Sequence, residues 1–123
     1  MRDDRTTGAR RALWDFPFFE PHHKALAEAI ADWPDAHGEP ADMAAACRAH
    51  ARELAARGLL GHVVPEDGGA GVDVRALCII REALGYRDLL ADSVFAMQGI
   101  GTGAIWMHGS PELQRRYLPR VRA

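Results

Sequence analysis

Between Ser93 and Pro111 the chain carries no Asp, Glu, Lys or Arg, although 26% of its 123 residues are charged. The run lies inside the longer stretch from Leu89 to His108, and its centre reads Ser93-Val-Phe-Ala-Met-Gln-Gly-Ile-Gly-Thr-Gly-Ala-Ile-Trp-Met107. A helix that is apolar nearly all round is normally a buried one. The stretch therefore predicts a central helix with the rest of the domain packed around it. Gln98, Thr102 and three glycines dilute the run, and its strongly apolar part is shorter than the ~20 residues a membrane span needs. No membrane span is expected.

The glycines at 99, 101 and 103 imitate a nucleotide-binding loop but do not match one. The dinucleotide fingerprint is GxGxxG between a strand and a helix; here the third glycine comes one place early and no β-run precedes it. Gly99 and Gly103 are four apart, so on a helix they share a face. Each costs roughly 1 kcal/mol against Ala in a helix interior. Close packing of a neighbour, or room for a ligand, would compensate.

A chain of 123 residues is one domain with enough length for a real core. A formal charge of −2 leaves no basic footprint for nucleic acid. The late arginines Arg115, Arg116, Arg120 and Arg122 read as a solvated helix face. Cys47 and Cys78 fit neither a disulfide framework nor a zinc spacing and are expected to be reduced core thiols. The segment from Met1 to Arg11 is charged and lacks the apolar region of a signal peptide, and Asp3 and Asp4 speak against a transit peptide. A cytoplasmic protein is expected, with residues 1–15 a mobile arm and 16–123 a helical domain.

Phe16, Phe18 and Phe19 form an aromatic cluster expected to dock on the body. Glu20-Pro21 opens a first helix, since proline suits the first helical position. Leu26, Ile30 and Trp33 make its apolar stripe and Pro34 ends it. His22 and His23, adjacent in its first turn, read as solvated surface, and no metal site is expected. After the loop from Pro34 to Pro40, a second helix is expected over about Ala41 to Arg57. Met43, Cys47, His50 and Leu54 recur along it, with His50 a structural residue. Gly58 then Leu59 signals its C-terminal cap.

Leu59 to Asp73 reads as a long connection, extended at Val64 before Pro65, with positive φ available at Gly68, Gly69 and Gly71. Asp73 is placed to cap a third helix, Val74 to Arg87. Leu77, Ile80 and Leu84 form its apolar face, widened by Cys78 and Ile79. Ser110, Pro111 and Glu112 open a last helix with Leu113, Tyr117 and Leu118 on its apolar side, and Pro119 is expected to kink or end it. The fold class expected is all-α, about five helices around the central one.

Two of these stretches together resemble one family. Leu59-Leu60-Gly61-His62-Val63-Val64-Pro65-Glu66, followed by Gly68-Gly69-Ala70-Gly71, is similar to the GLLG-x-x-VPE…GG-x-G loop of acyl-CoA dehydrogenases. Gly109-Ser110-Pro111-Glu112-Leu113-Gln114-Arg115-Arg116-Tyr117-Leu118-Pro119 resembles their G-T/S-x-E-Q-K/R-x-x-YLP helix start. The resemblance covers roughly Phe18 to Ala123. Two features depart from the family pattern: Asp67 runs straight into Gly68, and the loop from Pro34 to Pro40 is short.

The resemblance implies an N-terminal helical domain that is followed, in complete members, by a β-domain and a four-helix bundle. Those two hold most of the FAD site, and a glutamate, usually in the bundle, takes the α-proton of the acyl-CoA thioester while the β-hydrogen leaves to the flavin. This chain resembles only the first domain. No catalytic residue is therefore expected in it, FAD is expected only together with the other domains, and its flavin-contacting residues are not assigned. Those domains would be partners in cis or in trans, and a homo-oligomer is implied for complete members.

By position, Ser93, Ala96 and Ile100 look like residues that line the acyl chain in the family. Ser93, Ala96, Met97 and Ile100 also fall on one uncharged helix face, which ordinary core would explain equally well. The competing expectation is a freestanding helical binding module derived from the family. A small enzyme in its own right has little support, because His22, His50, His62 and His108 are scattered along the chain.

Overall fold

The computed structural model describes residues 16–65 and 71–122. The expected N-terminal arm and Glu66, Gly68, Gly69 and Ala70 of the loop motif lie outside them. Five α-helices follow in order: α1 (Pro21–Ile30), α2 (Met43–Ala56), α3 (Val74–Arg87), α4 (Leu89–His108) and α5 (Pro111–Arg122). A 3-10 turn, Leu59–His62, stands between α2 and α3. No strand occurs among the described residues, so the all-α expectation holds. No helix of the described residues is long and apolar enough to cross a membrane.

Three helices start on an aspartate whose carboxylate accepts the orphan N–H groups of the first turn. Asp42 accepts from Ala45 at 2.9 Å. Asp73 accepts from Arg75 and Ala76 at 3.0 and 3.3 Å, and Asp88 from Leu90 and Ala91 at 3.0 and 3.1 Å. The α5 cap is Ser110, whose hydroxyl accepts from Leu113 N–H at 3.3 Å. Gln114 reaches back from α5 and donates to the Trp106 and Gly109 carbonyls, both at 3.1 Å, closing the end of α4.

Helix α1 stops at Ile30, earlier than Pro34 alone would require. A turn closed by Trp33 N–H to the Ile30 carbonyl, 3.1 Å, then carries the Trp33 ring into the core. Ala36 N–H bonds the Arg87 carbonyl at 2.9 Å and Arg87 donates to the Trp33 carbonyl at 3.2 Å, so the short loop is tied to the end of α3. After α2, Gly58 takes φ +70°, the left-handed cap that the sequence signals. The segment beyond it is no mere connection: Leu59, Leu60, Val63 and Val64 are all buried. They join Ile30, Trp33, Leu54, Ile80, Leu84, Ala91, Val94, Phe95 and Leu118 in one core. Each fully buried Val, Leu, Ile or Phe among them contributes roughly 1.5–3 kcal/mol.

Helix α4 lies at the centre, in contact with α2, α3, α5 and the 3-10 turn. The expectation that it is buried all round is corrected. Ala91, Val94, Phe95, Thr102 and Gly103 face the core, whereas Leu89, Met97, Ile100 and Met107 are more than half exposed. Its three neighbouring helices and the 3-10 turn cover one side only. Gly99 serves close packing, since a Cβ there would stand 3.3 Å from the Val63 side chain; at Gly101 it would meet open space.

Three further expectations need correction. Cys78 is exposed rather than a core thiol, because the buried side of α3 is formed by Ala76, Ile79, Ile80 and Leu84. Phe19 is partly buried, but Phe16 and Phe18 remain largely exposed. Of the kink or end expected at Pro119, the end does not occur: helix α5 runs through it to Arg122. Pro119 is on the solvent side, and its neighbours Leu118 and Val121 anchor the last turn to the core. On the same helix Leu113 and Tyr117 lie nearer the surface than Leu118.

Candidate functional site

The uncovered side of α4 is the largest chemical anomaly of the fold. Leu89, Ser93, Ala96, Met97, Ile100, Ala104 and Met107 recur at helical spacing, so they form one face about 27 Å long at ~1.5 Å per residue. Ile100 is 69% exposed and Met97 59%; Ser93 is exposed and Ala96 partly so. All four sequence-predicted lining residues thus share one accessible surface, and none belongs to the core. Contiguous apolar patches on soluble proteins commonly mark a surface that something covers.

The face is apolar down to its hydroxyls. Ser93 Oγ donates to the Leu89 carbonyl at 2.8 Å, folding its proton back onto the helix. Behind it, Thr102 Oγ1 does the same with Gln98 at 2.7 Å. No carboxylate or imidazole occurs between Ser93 and Met107. Such a surface can hold an apolar chain and exclude water; it has no group to move a proton.

Its frame is held by ion pairs. Asp92, beside Ser93, is 7% exposed and receives two bonds from Arg81 of α3, at 2.9 and 2.8 Å. The Asp92 hydrogen bond and charge raise the Arg81 pKa further. At the start of α4, Asp88 spends one oxygen on its cap and the other on His50 Nε2, 3.2 Å away. His50 thereby ties α2 to the start of α4.

A second cluster was not legible in the sequence. His23 is fully buried and His22 is not, yet both rings reach the same oxygen of Asp73, with Nε2 at 2.8 and 3.2 Å. The solvated reading of this pair is corrected for His23. Adjacent helix residues diverge, but Asp73 enters between them from the start of α3. Burial acts to raise the Asp73 carboxyl, and the hydrogen bonds from His22, His23 and the Ala76 N–H outweigh it, holding it well below the carboxylate range. Arg75 bonds Glu20 Oε1 at 3.0 Å and lowers that carboxyl as well. His62 lies near enough to sense Asp73 and His22; burial pushes its imidazole below the ordinary value.

Ligand atoms of His22, His23 and Asp73 lie within 4.8 Å of one another, a spacing that a metal ion could bridge. The chemistry of His23 argues otherwise. Its Nδ1 accepts the Glu20 N–H at 3.0 Å, so its proton sits on Nε2 and is donated to Asp73. A metal on Nε2 would force that proton onto Nδ1, against a backbone donor. The cluster is a hydrogen-bonded joint between α1 and α3. Beside it, Phe18, Phe19, Val74, Arg75, Cys78, Ile79 and Glu82 line a small apolar cleft of about 170 Å³.

Comparison with known proteins accounts for the fold and the motifs together. Residues 20–123 match the family model described as acyl-CoA dehydrogenase, N-terminal domain. The chain is 38% identical over 73 residues to the cyclohex-1-ene-1-carbonyl-CoA dehydrogenase of Syntrophus aciditrophicus, covering 58% of this chain and 18% of that protein. It is 37% identical over 62 residues to the Mycobacterium leprae protein named Probable acyl-CoA dehydrogenase fadE25, covering 50% and 16%. The Mycobacterium tuberculosis protein of that name matches at 36% over 62 residues, again 50% and 16%. The aligned stretch spans less than a fifth of these curated relatives. With the family model matched across nearly all of the described helices, the chain belongs to the acyl-CoA dehydrogenase family, whose N-terminal domain it carries.

Proposed function

We propose that this domain supplies part of the acyl-chain wall of an FAD-dependent acyl-CoA dehydrogenase, and that it is inactive by itself. The observation that carries the proposal is the accessible, uncharged face of α4 on which Ser93, Ala96, Met97 and Ile100 lie together. The α,β-dehydrogenation of an acyl thioester needs the chain held straight beside the reacting carbons and kept dry. A rigid apolar helix contributes through orientation and desolvation. Small Ala96 leaves room beside the chain, and Met97 adapts to its shape. The unit doing this runs over residues 16–123.

FAD would accept the hydride in this reaction. Neither the cleft on α3 nor the α4 face is a cradle for it. The cleft on α3 holds about 170 Å³, short of the ~300–1,000 Å³ usual for cofactor pockets, and the α4 face offers no charged group for a diphosphate. No step is therefore assigned to this chain through the flavin. The reading calls for a β-domain and a four-helix bundle, in cis or in trans, in a cytoplasmic and homo-oligomeric enzyme.

Native mass spectrometry of the tagged protein purified from its own source tests this. Added polypeptide with bound flavin is the expected result. The bare chain or a simple multiple of it, without flavin, overturns the enzyme reading and leaves a freestanding binding module that uses the same face.

A further inference from the structure

The joint between α1 and α3 depends on one tautomer of one buried ring. His23 is fully buried, accepts the Glu20 N–H on Nδ1 and donates from Nε2 to Asp73. Neutral imidazole has one donor and one acceptor, and both are in use. Uptake of a second proton turns Nδ1 into a donor that faces the Glu20 N–H at 3.0 Å. Two donors at that distance repel. The ring cannot escape to solvent while α1 stays docked, since the Phe19 ring packs edge-on at 5.9 Å and the His22 ring lies 4.0 Å away.

Glu20 and the aromatic segment before it are tied to α3 by the same side chain. Arg75 of α3 donates to Glu20 Oε1 at 3.0 Å and to the Phe18 carbonyl at 2.9 Å. Phe18 and Phe19 in turn roof the cleft over Val74, Cys78 and Ile79. Displacement of Glu20 at the start of α1 is thus transmitted to the cleft roof.

We propose that His23 is a proton-operated latch: a second proton on its ring expels the Glu20 cap, releases Phe18 and Phe19 from α3 and opens the cleft beside Cys78. The charged groups around the ring set its bias. On its own element these are Glu20, whose Oε2 lies 3.4 Å from His22 Nδ1, and His22 itself. From α3 they are Asp73 and Arg75, the latter 3.6 Å from the Asp73 carboxylate; from the 3-10 turn it is His62. The ring faces the Asp73 carboxylate on Nε2 and the Glu20 backbone donor on Nδ1. Asp73, its carboxyl held well below the carboxylate range, keeps its charge while the latch operates.

The test is a pH titration of the full chain by NMR. Imidazole nitrogen shifts report the His23 tautomer, the Glu20 amide reports the cap, and ring-to-methyl contacts of Phe19 with Ile79 and Val74 report the roof. The expected result is the Nε2–H tautomer at neutral pH. The Glu20 amide then moves with the His23 titration, and the Phe19 contacts are lost over the same pH range. His22→Ala keeps this behaviour, whereas His23→Ala shows weak contacts at every pH. The Nδ1–H tautomer at neutral pH, or Phe19 contacts that survive full protonation of His23, overturns the latch. So does a His23→Ala chain that still loses the contacts over the wild-type range. If that variant fails to fold, the wild-type titration alone decides.

Discussion

Gly99 and Gly101 are two residues apart on α4, and the structure assigns them opposite duties. Alanine at either site removes the helix penalty of glycine, ~0.8–1 kcal/mol. At Gly101 a Cβ meets open space, so the whole gain is realised. For a domain of this size that is a rise in Tm of about 4 °C or somewhat more. At Gly99 the same atom stands 3.3 Å from the Val63 Cγ1 and 3.4 Å from its Cβ. Val63 and Val64 are buried and cannot yield freely, and overpacking a core costs typically ~1–3 kcal/mol. The net effect of Gly99→Ala runs from nil to about 2 kcal/mol of destabilisation. Urea unfolding followed by far-ultraviolet circular dichroism measures both. Equal stabilisation by the two alanines would refute the packing of the 3-10 segment on α4. No gain at Gly101 would refute an open, regular helix there.

Other perturbations have equally definite signs. Arg81→Ala leaves the carboxylate of Asp92 buried without its partner and is expected to cost about 1–3 kcal/mol; Asp92→Asn, which leaves only an exposed arginine to rehydrate, costs less. Equal losses in chemical denaturation would contradict the burial assigned to Asp92. Asp88→Ala removes the α4 cap and the His50 partner together and should cost at least ~1 kcal/mol; a change within error would mean that the cap contributes nothing. Burial lowers the His62 pKa from its ordinary 6.5, so the unfolded chain binds more protons between the folded value and 6.5. Stability therefore falls as the pH drops through that window. His62→Gln should show a shallower fall across a pH series of urea unfolding curves, and an unchanged slope would remove His62 from the account.

Helix positions were legible because their signals are local. Asp73 before an apolar face and Ser110-Pro111-Glu112 each state a helix start within four residues, and α3 and α5 begin where those signals put them. Burial was less legible. The run from Ser93 to Met107 is apolar all round, yet only half of it is covered, because hydrophobicity cannot distinguish a core face from one kept for a ligand or a neighbouring domain. The four candidate residues share a face as the i, i+3, i+4, i+7 spacing requires, but their exposure comes from where the other helices stop. The His22–His23–Asp73 joint was illegible for a different reason. Fifty residues separate its partners, and a surface-like pair of histidines becomes buried only when the start of α3 arrives beside it. Pro119 shows the limit of local rules: two anchored neighbours outweigh a helix breaker.

The claim that the α4 face is an acyl wall is tested most directly by chain-length selectivity. In the flavin-loaded enzyme that contains this domain, kcat/KM would be measured for saturated acyl-CoA thioesters of increasing length, with wild type, Ile100→Trp and Ala96→Phe. The account predicts that short substrates are processed as before while long ones lose at least about tenfold, the effect of ~1.4 kcal/mol on the transition state. A profile that keeps its shape, whether unchanged or lowered uniformly at all lengths, would contradict it.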